Sequence, residues 1–136
     1  MRKSLIPCIA VFITACAPHH QAIIAVPVTT SKDICIIENP EVNVVILQVF
    51  RRTLEKKGYI VQVLPQSSAI SDCPTTTTYL AHWWWDLAVY LSSAEINVYK
   101  DEKLIGRAVY RARDASLSKL NNAETKFEEL VSKLFP

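Results

Sequence analysis

The stretch Asp33-Ile34-Cys35-Ile36-Ile37-Glu38-Asn39-Pro40, followed by a periodic segment to Gly58 and by Tyr59-Ile60-Val61-Gln62-Val63-Leu64, decides the fold. Ile34 to Ile37 is short, continuous and rich in β-branched side chains, which suits a strand covered on both faces and central in its sheet. Asn39 as N-cap and Pro40 at the first helical position predict a helix, with Glu41 near the positive end of its dipole. Val42, Val45, Ile46, Val49, Phe50 and Leu54 then repeat at the spacing of one buried helical face. Arg51, Arg52, Lys56 and Lys57 crowd the last turns as a solvated cationic end, and Gly58 takes the left-handed conformation that stops the helix. Tyr59 to Leu64 is the returning strand, so residues 33–64 form a β-α-β unit.

Further along, Pro65, Ser67, Ser68, Ser71, Asp72 and Pro74 make a loop that carries Cys73. Thr76 to Asp86 is rich in Thr, Tyr and Trp and favours strand. Alternation puts Trp83 and Trp85 on one face, expected to be core, and His82, Trp84 and Asp86 on the other. Val89–Lys100 and Lys103–Arg113 read as a hairpin. A three-residue loop at 100–102 keeps Ala94, Ile96 and Val98 beside Leu104, Gly106, Ala108 and Tyr110 and sets Glu95 opposite Arg107. A two-residue loop would turn Arg107 onto the apolar face. The longer loop places Glu102 where glycine is normally required, which predicts a strained turn. Residues 114–120 are polar connection. Asn121 with Glu124 three residues on resembles a capping box, and Ala123, Phe127, Leu130, Val131 and Leu134 form the stripe of a second helix. The expected class is α+β: a two-layer sandwich of order β-α-β-β-β-α, with a mixed sheet and both helices on one face.

Upstream, Arg2 and Lys3 precede an uncharged run from Leu5 to Ala15 that leads into Cys16. A basic start, a short apolar core and small residues before a cysteine are the marks of a secretory signal with a lipidation site. Eleven apolar residues fall short of the roughly 20 that a membrane-spanning helix needs. Ile13-Thr14-Ala15-Cys16 resembles the lipobox of bacterial lipoproteins, which implies cleavage between Ala15 and Cys16 and acylation of Cys16. The ordinary alternative is a cleaved signal without lipid. The expected organisation is therefore signal peptide 1–15, lipidated cysteine and tether 16–32, and a single α+β domain 33–136. Ile23 to Val28 is a candidate edge strand, although Pro27 lacks the N–H that a central strand would need. His19 and His20 read as solvated spacers.

The full chain has 15 Lys and Arg against 13 Asp and Glu; losing Arg2 and Lys3 with the signal leaves 13 against 13. A balanced charge gives no electrostatic case for nucleic acid or for an anionic membrane face. Attachment to the membrane then falls to the N-terminal lipid, each buried methylene contributing ~0.8 kcal/mol, with two chains sufficient for stable anchoring. Export also governs the thiols. Cys8 leaves with the signal and Cys16 is acylated, so Cys35 and Cys73 remain as a pair in an oxidising compartment and are expected to form a disulfide, against the alternative of two buried free thiols.

The best catalytic constellation is Cys73, His82 and Asp86 as nucleophile, base and orienter. Along a regular strand His82 and Asp86 stand ~13 Å apart, out of hydrogen-bond reach, and a Cys35–Cys73 bond would consume the nucleophile. The chain has two glycines, hence no phosphate loop, and its cysteines and histidines lack metal-ligand spacing. No catalytic residue, metal, cofactor or small-molecule ligand is expected. With helices on one face only, the other face presents Trp84, Glu95, Tyr99, Ile105, Arg107 and Val109, a candidate surface for another envelope protein or a copy of itself. Loops at Pro65–Thr75 and Asp86–Ala88 are the alternative surface, for a structural or regulatory role.

A resemblance covers nearly all of the mature domain. Its residues are Asp33 to Pro40, Cys73-Pro74, Trp83, Trp85-Asp86-Leu87, Ala94-Glu95-Ile96, Val98-Tyr99, Leu104-Ile105-Gly106, Ala108, Tyr110 and the closing Leu134-Phe135-Pro136. In these the chain resembles the Sbal-type family lipoproteins, uncharacterised proteins of Gram-negative bacteria. The resemblance implies Asp-Gly at the hairpin turn, where this chain has Asp101-Glu102. Ala17 after the lipidated cysteine resembles lipoproteins sorted to the periplasmic face of the outer membrane, because Asp there is the usual inner-membrane retention signal.

Overall fold

A computed structural model of the chain describes residues 19–28, 31–85, 89–112 and 122–136. The elements are β1 (His19–Ile24), β2 (Asp33–Ile37), α1 (Val44–Lys56), β3 (Ile60–Leu64), a 3-10 turn at Ile70–Asp72, β4 (Thr75–Trp85), β5 (Val89–Lys100), β6 (Lys103–Ala112) and α2 (Ala123–Leu134). The α+β class and the mixed sheet are as expected. The sheet has six strands, in the spatial order β1-β6-β5-β4-β2-β3: the five read from residues 33–113, one more than in the order β-α-β-β-β-α, and β1 as an added edge.

β2 runs parallel to both β3 and β4, which places the Ile34–Ile37 run inside the sheet. Ile34 and Ile36 face the helices, while Cys35, level with Thr76, faces away. All three are buried, in keeping with a strand covered on both sides. The inner face of β4 carries Thr77, Tyr79, Ala81 and Trp83, matched across the ladder by Val98, Ile96, Ala94 and Leu91. Tyr79 meets both helices: its ring lies 5.8 Å from Phe50 of α1 and 6.4 Å from Phe127 of α2, and the two phenylalanines are 5.7 Å apart. Each of these edge-to-face contacts contributes about 0.5–1.5 kcal/mol beyond area burial, and together they hold both helices over one sheet face.

Both helices start later than the sequence signals suggest. Asn39 is no helix cap. Its side chain accepts from Glu41 N–H at 3.1 Å and donates to the Tyr79 carbonyl at 3.2 Å, which ties the end of β2 to β4 through a turn. α1 instead begins after Asn43, whose Oδ1 accepts from Val45 N–H at 2.9 Å. Similarly, Asn122, one residue after Asn121, caps α2 by accepting from Glu124 N–H at 2.8 Å. The stripe Phe127, Leu130, Val131 and Leu134 is fully buried, and Phe135 continues it beyond the helix end.

The segment read as a tether belongs partly to the domain. β1 pairs antiparallel with β6 from His19↔Ala112 to Ile24↔Arg107, ahead of Pro27, so the proline costs no ladder bond. Val26 is buried, and its N–H donates to the Leu134 carbonyl at 2.8 Å. Lys133 Nζ reaches Gln21 Oε1 at 2.9 Å, a second link from α2 to the same edge strand. The sheet thus takes in His19–Ile24, ahead of residue 33.

The β5–β6 hairpin resolves the parity problem by another route. The loop has two residues: Lys100 pairs with Lys103, and Asp101 (φ 49°) and Glu102 (φ 66°) both take the left-handed conformation. Val98 pairs with Gly106 but Tyr99 with Leu104, so Ile105 is an extra, bulged residue. The bulge restores the alternation that a two-residue loop would reverse. Arg107 therefore stays off the apolar face, directly opposite Asn97 rather than Glu95.

Candidate functional site

The cysteines read as a pair are bonded. Cys35 and Cys73 form a disulfide with Cα atoms 6.3 Å apart, joining β2, one strand in from the sheet edge rather than central as expected, to the 65–74 loop on the sheet face away from the helices. The β5–β6 turn docks on the same loop, with Asp101 N–H donating to the Pro74 carbonyl at 2.9 Å. Cys73 is thus no thiolate. His82 is an exposed residue of β4, and Asp86 lies outside the described residues, as do Ala15 and Cys16. The structure does not assemble the Cys73, His82 and Asp86 constellation. Among the described residues no group of three potential metal ligands comes together, and no helix is long and apolar enough to cross a membrane.

The sheet face opposite the helices brings part of the expected surface together. Glu95 stands between Leu80 of β4 and Val109 of β6, and Ala22 of β1 lies beyond Val109. Arg107 stands between Asn97 and Ile24. Glu95 and Arg107 meet on the diagonal, Oε1 to Nη2 at 3.2 Å, and Glu95 Oε1 also accepts from Asn97 Nδ2 at 2.9 Å. This pair is partly solvated, so it sets orientation more than it adds stability. Tyr99 and Ile105 sit towards the Asp101-Glu102 turn and are half-buried, as is Val109. Exposed apolar side chains on this face include Ile24, Leu80 and, against the expected alternation because of the bulge at Ile105, Leu104, with Ile60 on the far edge strand β3. Leu80 shares the parity of His82 and Trp84 and was readable from the alternation. Ile24 was hidden because its strand looked like tether.

Trp84 and Trp85 separate from that surface. They end β4 beyond the last level of β6, where Trp85 pairs with Val89. Trp83 packs on the core, but Trp84, Trp85 and Val89 are 66 %, 67 % and 67 % exposed. Trp85 was expected in the core on parity. It points to the correct side, but the hairpin has by then run past the elements that would cover it.

A shallow hollow of about 260 Å³ lies between Leu80, His82, Ser93, Glu95, Val109 and Arg111. A second hollow, of about 380 Å³ and bounded by Ile37, Gln66, Thr78, Leu80 and Asn97, lies beside it, at the low end of the roughly 300–1,000 Å³ of small-molecule sites. The face between them carries a few apolar side chains around a central ion pair.

These features define a class, a two-layer α+β domain whose six-stranded sheet is covered by helices on one side. Among solved structures it is similar to the PelC dodecamer from Paraburkholderia phytofirmans in space group P6, at TM-score 0.57 and 10% identity, covering 87% of this chain and 96% of that one. A leucine-to-methionine variant of that dodecamer in space group C2 aligns at TM-score 0.53 and 11% identity, covering 87% and 95%. At these identities the likeness is one of fold. No protein-family model matches the sequence, and no curated protein matches it.

Proposed function

We propose that this protein is a lipid-anchored, non-catalytic module of the cell envelope that assembles with copies of itself. Acylated Cys16 holds it to the outer membrane on the periplasmic side, as its resemblance to Gram-negative lipoproteins implies. The observation that carries the assembly reading is the one-sided cover of the sheet, with Ile24, Leu80 and Leu104 exposed on the open face around Glu95 and Arg107. Two further features support the reading. The Cys35–Cys73 disulfide suits an oxidising compartment, and the structures of like fold are dodecamers. A photo-crosslinking residue at position 80, in the full-length protein in intact cells, tests it. Adducts at multiples of the subunit mass are expected. Recovery of monomer alone would overturn self-assembly through this face.

A further inference from the structure

The start of β1, three residues after Cys16 in the sequence, and the tryptophans lie at the same end of the sheet. β1 starts at His19 level with Ala112, the next residue of β6, Arg111, is level with Ser93, and Ser93 pairs with His82. Trp83 is therefore about level with His19, and Trp84 and Trp85 extend one and two residues past it, roughly 7 Å further at ~3.3 Å per residue. Only three residue steps separate His19 from Cys16, a reach of at most roughly 11 Å. A bilayer holding an acyl chain on Cys16 is thus brought level with the hairpin end.

What projects there has the chemistry of a membrane interface. The described overhang exposes Trp84, Trp85 and Val89, while Trp83 packs on the core and Tyr90 and Leu91 are buried; Asp86 follows Trp85 in the sequence. Indole rings favour the headgroup level of a bilayer, where the apolar body is buried and the N–H remains hydrated. Facing water, Trp84, Trp85 and Val89 would leave a large apolar surface solvated, with nothing among the described residues to cover it. We infer that the β4–β5 hairpin end inserts Trp84 and Trp85 into the bilayer interface beside the acylated Cys16, fixing the domain upright with its open sheet face perpendicular to the membrane plane. The inference rests on the anchored reading above, to which it adds the orientation.

The test uses the full lipidated protein on vesicles of phosphatidylethanolamine and phosphatidylglycerol, with and without a phospholipid brominated near the headgroup end of its acyl chains. Flotation first establishes that the protein is vesicle-bound. The expected result is a blue shift of tryptophan emission on binding and strong quenching by the brominated lipid, most of it lost in the Trp84→Phe, Trp85→Phe double variant. Both positions are exposed, so that variant folds, and the wild-type measurement stands without it. Protein that floats while its indoles keep a water-like, unquenched emission overturns the insertion and leaves the anchor intact. Protein that carries no fatty acid and stays in the supernatant overturns both.

Discussion

Gly106 leaves the space that Val26 occupies: a Cβ placed on the glycine would lie 2.5 Å from Val26 Cγ2 and 3.2 Å from Leu134 Cδ1. The segment after β1 is thereby held between β6 and the end of α2. Gly106→Ala is expected to lower stability by about 1–3 kcal/mol through overpacking. Adding Val26→Ala should recover part of that loss, and urea denaturation of the single and double variants measures both.

Breaking the Cys35–Cys73 bond opens a loop of 38 residues. On the chain-entropy model the bond stabilises the fold by about 4 kcal/mol, a large share of the total of a domain this size. Urea denaturation of the Cys35→Ala, Cys73→Ala variant should show a midpoint lower by a corresponding amount, matching that of reduced wild-type protein. Equal midpoints for oxidised and reduced protein would contradict it.

Glu129 receives Lys133 at 2.6 Å and Lys126 at 2.9 Å, and their hydrogen bonds hold its pKa down from the ordinary 4.5 to about 2. A carboxylate whose folded pKa is depressed contributes stability that is complete above the unfolded value and lost as pH falls through the folded one. Wild-type protein is thus expected to lose stability progressively from pH 4.5 towards pH 2. Glu129→Gln should flatten that part of the profile, as followed by thermal melts across the acid range.

Asp101 and Glu102 both hold positive φ, which costs an L-residue roughly 1–2 kcal/mol each. Substituting Asn-Gly, the pair this turn type favours, should stabilise the protein by about 1 kcal/mol, raising Tm by roughly 4–8 °C. An unchanged Tm in a calorimetric scan would show that the turn carries no strain.

The β-α-β unit was legible because Ile34–Ile37 and the Val42–Leu54 stripe each follow a single pattern, and the disulfide because the export expected from the sequence would leave one cysteine pair. Three features were not. The Asn39-Pro40 signal was outcompeted by a long-range partner, Tyr79, which no local pattern reveals. β1 lacks an alternation of its own and becomes a strand because β6 offers a free edge and Val26 a core slot. The hairpin parity was argued from unbulged strands, while the chain inserts Ile105 to satisfy both a tight turn and an outward Arg107. Of the candidate surface, Glu95, Arg107 and Val109 were readable from register. The isolation of Trp84 and Trp85 was not, since it depends on how far β4 and β5 outrun β6.

Compartment, assembly and orientation all depend on the amino terminus. Intact mass spectrometry of protein extracted from membranes tests it most directly. The predicted species begins at Cys16, carries fatty acyl chains and has Cys35 and Cys73 oxidised. A species retaining Met1, or beginning at Cys16 without fatty acid, would contradict the account.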